Sequence, residues 1–242
     1  MGASDAPGTD GGAPSSEAEN AYLVLAGADD VLARIVGVYG HPDPFEWSDG
    51  GRTGSSLFAA MVLHVTSQRI SAAAAFSVFD RMTAAGGSTP APDTLLALGA
   101  GRLRALGLSG GKVRCLLELA RRQATGLIDL ENMGALSDDD VIGALTAVPG
   151  IGLWSAQAFL LRQLRRADVL PAGDTGIRRA IGREWHLAAP PAASQVRDRA
   201  AAWVPFRSYA AALLWRSLHP PGEPSDPKAR ALAKAGKRTR RP

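Results

Sequence analysis

Asp174 is the residue on which chemistry can be argued most directly. It precedes TGIRRAIGREW, a stretch with helical spacing, so its carboxylate is placed to accept the amide hydrogen of Gly176 or Ile177 as an N-cap. A carboxylate beside helix-terminal amides is stabilised as the anion. That suits support of a developing positive charge, or orientation of a water molecule, better than proton donation. Upstream lies Pro149-Gly150-Ile151-Gly152. Its glycines permit positive φ and leave the backbone bare, and the helix that starts at once presents amide groups fit for a phosphate oxygen. The plainer reading is that these four residues only close a turn between two helices.

These residues need elements to hold them. Ser137 followed by Asp138, Asp139 and Asp140 is a strong helix start, because acids complement the amide end of a helix. Val141, Leu145 and Val148 then give that helix an inner face. The spacing predicts helices over 137–147, 153–166 and 175–184, which brackets both the turn and Asp174. Elsewhere, Leu32, Ile35, Val36 and Tyr39 form one apolar stripe behind Asp29 and Asp30, and Phe58, Met61, Val62 and Val65 form another. Further helices are predicted at about 71–85, 93–98, 109–124, 194–203 and 208–218, separated by short turns bearing Gly, Pro or Ser. Loop 41–54 is the clearest interruption. β-Branched runs are scarce, and the architecture reads as all-α.

Composition bounds the rest. The 242 residues are 46% apolar and 21% charged, with mean hydropathy −0.02. A chain of this length buries roughly 70% of its unfolded surface, which excludes disorder throughout. Apolar runs fall far short of a membrane span, and no secretory pattern opens the chain, so the expected location is the cytoplasm. The single Cys115 permits no internal disulfide and cannot alone hold zinc or an iron–sulfur cluster. Charge is uneven. Residues 1–20 carry four acids and no base, and they read as a disordered acidic tail. Residues 222–242 carry seven bases against two acids and read as a flexible basic tail, suited either to phosphate contact or to solvent. The folded domain is expected at 21–221.

The segment VPGIGLWSAQAFLL, with an aspartate following at Pro171-Ala172-Gly173-Asp174, resembles the helix-hairpin-helix (HhH-GPD) superfamily of base-excision DNA glycosylases. Within it the sequence is most like the 3-methyladenine DNA glycosylase II family. Residues 58–71, FAAMVLHVTSQRIS, are similar to that family's early helix with its Gln, here Gln68. WVPFRSYAAALLW, residues 203–215, is similar to its last core helix. The likeness covers about 29–219.

The resemblance implies a two-lobed helical fold with a cleft between the lobes, its helix-hairpin-helix motif at about 137–166. It implies an enzyme that flips an alkylated purine, of the 3-methyladenine or 7-methylguanine type or bulkier, out of duplex DNA. The enzyme then hydrolyses the N-glycosidic bond in base excision repair. Asp174 would be the catalytic aspartate beside an oxocarbenium-like sugar, and Trp154, Trp215 and Gln68 would line the base pocket, although each Trp is equally well read as core. Gly150, Ile151, Gly152, Lys112 and Ser109 would contact DNA. The backbone carbonyls of Thr146, Val148 and Gly150 match a site for a monovalent cation, Na+ or K+; no cofactor is required. The expected partner is damaged double-stranded DNA, bound by a monomer, on the nucleoid if the source is bacterial.

Trp154 stands where bifunctional members such as endonuclease III carry a Schiff-base lysine, which favours a monofunctional, water-dependent enzyme. The chain departs from the family in three places. Ala158 and Thr175 replace aromatic side chains, implying a roomier or differently selective pocket, and Gly110 stands where the family inserts a wedge into the duplex. His41, His64, His186 and His219 lack metal-ligand spacing and read as surface or packing residues. Two other readings share these features: a non-catalytic DNA-binding module that kept the hairpin, and an oxidised-base glycosylase using the same Asp.

Overall fold

A computed structural model describes residues 16–223, 226 and 228–233. Among the described residues these α-helices follow in chain order: α1 Ser16–Ala28, α2 Asp30–Tyr39, α3 Leu57–Ser67, α4 Ala72–Gly86, α5 Pro92–Ala105, α6 Gly110–Ala124, α7 Asp138–Thr146, α8 Leu153–Arg162, α9 Thr175–Glu184, α10 Ala193–Arg199 and α11 Arg207–Ser217. Short 3₁₀ turns at Leu130–Ala135 and Ala200–Trp203 and a further helical stretch over residues 228–233 add to these, and no strand occurs among the described residues.

The helices pack as two groups. In one, α11 lies against α2 and α9, and α1 covers α2. In the other, α3 to α6 pack in sequence, with α7 paired to α8 and α8 also touching α3. Helix α3 is the axis of the second group: Phe58 to Leu63 and Val65 are almost fully buried, so its backbone ends must be satisfied by protein. Glu131 reaches back to its start, accepting from the Leu57 and Phe58 amides at 3.0 and 3.1 Å. At its other end the Lys112 ammonium donates to the Thr66 carbonyl at 2.7 Å.

The loop between α8 and α9, which delivers Asp174, is pinned by the start of α11. The buried Ser208 hydroxyl donates to the Arg166 carbonyl at 2.6 Å and accepts from the Val169 amide at 3.0 Å. Arg207 grips Asp168 with two parallel bonds of 2.7 and 2.8 Å. Such forked pairs fix orientation as well as contributing energy.

Both expected tails need correcting where they are described. Helix α1 already begins at Ser16 and buries Ala21, Tyr22 and Leu25, so Ser16 to Asn20 are helical rather than disordered. The rest of the acidic tail lies outside the described residues. At the other end, residues 228–233 are helical, and Ala231 and Leu232 pack partly buried against the core. An Ala-Leu face among the bases supplies the apolar anchor that the charge count concealed.

Candidate active site

Three N–H groups converge on Asp174. As the N-cap of α9, it accepts the Ile177 amide on Oδ1 at 2.8 Å. The indole of Trp215, from α11, donates to the same oxygen at 2.9 Å, and the indole of Trp154, from the first turn of α8, donates to Oδ2 at 2.8 Å. All three partners are donors and none can accept, so the carboxylate works as an acceptor-only group. Gly176 lets this happen: a Cβ there would lie 2.9 Å from Asp174 Oδ1 and 3.2 Å from the Trp215 ring.

Asp174 lines a cavity of about 370 Å³, a size that suits a small-molecule ligand. Trp154 and Trp215 line it as well, and Trp154 is 44% exposed, which decides pocket over core for that ring. Ala158 lines it too, and Arg162, one turn further along α8, stands over the Trp215 ring at 5.5 Å and donates to the Glu46 carbonyl.

The pocket also recruits residues that sequence reading passed over. His64, on α3, stacks on Trp154 with ring centroids 5.3 Å apart. Burial, then the charges of Lys228 and Arg162, push its pKa down to about 3, so the imidazole is neutral. Trp47 comes from the irregular loop before α3, and Lys228 from the C-terminal segment places its ammonium 3.5 Å from the centre of the Trp47 ring. Burial lowers the Lys228 pKa to about 8, partly opposed by Asp226. Among the described residues, Trp47 Nε1 and His64 Nε2 are buried without a hydrogen-bond partner. Each such orphan costs on the order of 1–3 kcal/mol.

Gln68 is not in this pocket. Its amide donates at 3.3 Å to both the Gly150 carbonyl and Ser155 Oγ, tying α3 to the hairpin. It lines a neighbouring groove of about 760 Å³ together with Ser109, Lys112, Arg114 and Gly150. Three basic side chains, Arg69, Lys112 and Arg114, against one acid, Glu118, give this groove a surface suited to phosphate. Ser109 Oγ caps α6, and one of the three Lys112 protons is spent on Thr66.

At the hairpin, Gly150 takes φ +101°, and a Cβ there would meet Cys115 Cβ at 2.9 Å. Ile151 does not offer DNA its side chain or its amide: the side chain is buried, and the amide donates to Val148 at 3.0 Å. Helix α8 has no side-chain cap at Gly152, which leaves its first amides for an outside acceptor. Of the three carbonyls matched to a monovalent cation, Val148 already accepts the Ile151 amide and Gly150 accepts Gln68. A cation would share their second lone pairs.

With this geometry in view, the chain is similar to known proteins. The HhH-GPD superfamily of base excision DNA repair proteins matches residues 62–206. DNA-3-methyladenine glycosylase 1 of Schizosaccharomyces pombe is 30% identical over 200 residues, covering 81% of this chain and 86% of that protein. YfjP of Bacillus subtilis is 29% identical over 170 residues; these cover 67% of this chain but only 59% of YfjP. Among solved structures, the S. pombe 3-methyladenine DNA glycosylase Mag1 in complex with abasic DNA superposes with TM-score 0.71 at 28% identity, covering 82% of this chain and 96% of that one.

Proposed function

We propose, for a chain that belongs to the HhH-GPD superfamily of base excision DNA repair proteins, that it is a monofunctional glycosylase. It takes an alkylated purine out of duplex DNA and hydrolyses the N-glycosidic bond, leaving an abasic site. It works as a monomer in the cytoplasm, on double-stranded DNA. The observation that carries this reading is the Asp174 carboxylate, held by three N–H donors against a cavity lined by indoles. The names of the S. pombe relatives support the substrate class, and the abasic DNA in the Mag1 complex supports the partner.

The chemistry follows from the fixed carboxylate. As the bond from the sugar C1′ to the base nitrogen breaks, its electron pair leaves with the base and positive charge grows on the sugar. An anion already oriented beside that carbon stabilises the charge without reorganising. Water then adds to C1′ and gives up a proton to solvent, which leaves the sugar neutral and the Asp174 carboxylate ionised as before. Alkylation at a ring nitrogen lets the base leave neutral, so no strong acid is needed beside it. Indoles 154 and 215 contribute twice, by orienting the carboxylate and by offering flat surfaces to an everted base.

The groove beside the hairpin holds the backbone through Arg69, Lys112, Arg114 and the free amides of α8. Gly110, at the wedge position, has no side chain to insert. Ile70 does: it is 42% exposed and lines both the groove and the Asp174 cavity, so it is the apolar side chain placed to fill the gap in the stack.

The test is base release from an alkylated duplex, followed by strand cleavage with alkali. Released base with nicks appearing only after alkali is the expected result. No release from any alkylated duplex would overturn the reading. Nicks without alkali would assign an amine nucleophile instead, with Lys228 the lysine to replace.

A further inference from the structure

Part of the pocket lies beyond the stretch that the family match covers. That match spans 62–206; Trp47 precedes it, and Asp226, Lys228 and Arg230 follow it, yet all four line the cavity with Asp174. The C-terminal segment is anchored there rather than passing by. Within the segment the Asp226 carboxylate accepts the Lys228 amide at 2.9 Å and the Arg230 amide donates to the Asp226 carbonyl at 3.1 Å, while the Arg230 guanidinium meets the His219 ring at 3.1 Å and Leu232 packs beside Gly50, which ties the segment to the rest of the chain. A cavity of about 370 Å³ stays open with the segment in place. The segment is therefore a wall of the pocket and not a plug in it.

This wall brings charge onto aromatic surface. The Lys228 ammonium lies 3.5 Å from the centre of the Trp47 ring, and Arg162 stands over Trp215. Electron-rich indole faces are what attract a cationic ligand, and here two of them already serve resident cations. We propose that Lys228 is a specificity-determining residue of this pocket: by holding its own ammonium on Trp47, it disfavours bases that enter as cations relative to neutral alkylated bases. The inference rests on the glycosylase reading and names the base class that Lys228 selects against.

His64 supplies an internal check on the sign. Its imidazolium would sit in the same cavity wall, and it is suppressed first by burial and then by Lys228 and Arg162. A purine alkylated on its five-membered ring is also an imidazolium, so the same charges oppose it. Asp174 and Asp226 pull the other way, and their charges are the same in wild type and in a Lys228 variant, so the variant isolates the contribution of the ammonium.

The experiment compares wild type with Lys228→Met, which keeps the length of the side chain, and with Lys228→Arg, which keeps the charge. Two duplexes are used at pH 7, one with 7-methylguanine (a cation) and one with ethenoadenine (a neutral ring-closed adduct). Base release gives kcat/KM, and 2′-fluoro versions that resist cleavage give Kd. Lys228→Met should raise the preference for 7-methylguanine over ethenoadenine about tenfold in both measurements, and Lys228→Arg should keep the wild-type ratio. An unchanged ratio in Lys228→Met, or the same shift in both variants, would overturn the proposal. If no base is released at all, the glycosylase reading fails, while the ratio of Kd values still decides the role of Lys228.

Discussion

The indole nitrogen of Trp154 stands 2.8 Å from Asp174 Oδ2, and this bond spans the two helical groups, since Trp154 lies in the first turn of α8 and Asp174 caps α9. The orientation of the carboxylate thus depends on how the hairpin sits against the rest of the molecule. In the proposed function this couples DNA binding to chemistry, because the uncapped amides at the start of α8 belong to the same helix that carries Trp154.

Replacing Trp154 with Phe keeps an aromatic ring to stack on His64 but removes the donor. A hydrogen bond to a charged group contributes on the order of 1.5–3 kcal/mol, so single-turnover base release should slow by about tenfold or more. Affinity for abasic-site DNA should fall much less. Equal slowing of release and loss of affinity would show that the ring acts by stacking alone.

Gly150→Ala tests the hairpin backbone. Positive φ and the 2.9 Å approach to Cys115 Cβ both oppose a side chain there, and such strain costs about 1–3 kcal/mol. The melting temperature should drop by about 2–4 °C per kcal/mol, with weaker binding to undamaged duplex. A variant as stable as wild type would remove the argument that this glycine is required.

Ile70→Ala addresses the gap left by an everted base. If Ile70 enters the stack, its truncation should raise KM for a damaged base in duplex DNA and leave release from the same base in single-stranded DNA less affected. The same loss on both substrates would place Ile70 in the pocket only.

His64 predicts a pH effect on stability. Its folded pKa of about 3 lies below the ordinary value of 6.5. Between those values the unfolded chain takes up a proton that the fold refuses. The stability it contributes is full above pH 6.5 and is lost as pH falls toward 3. At about 1.4 kcal/mol per unit, wild type should lose about 2 kcal/mol more than His64→Gln between pH 7 and pH 5, measured by urea unfolding. Parallel losses in the two proteins would mean that the imidazole is protonated in the fold.

Local signals made the core of this site legible in the sequence. Capping acids and the paired glycines mark α7 and the start of α8, and the predicted helix 175–184 is α9, Thr175–Glu184. The Asp174 cap follows from sequence order alone, because an N-cap is defined by neighbours a few residues away. Helix α8 was expected to reach 166 but ends at Arg162, since Arg165 turns the chain at φ +52°. Helix α5 was expected to stop at 98, yet it runs through a kink at Gly99 to Ala105. Trp47, His64 and Lys228 meet only through tertiary packing. A lone His on an apolar helix and a Lys in a basic tail carry no local mark of a pocket, although the Ala-Leu spacing after Lys228 marks a face that can dock.

The most direct test of the account is Asp174→Asn, a substitution that keeps a capping side chain on α9. Single-turnover release of base from methylated duplex is measured beside affinity for abasic-site DNA. Release should fall by at least about 100-fold, with DNA still bound and the melting temperature close to wild type. Release at the wild-type rate from a folded, DNA-binding Asp174→Asn protein would contradict the account.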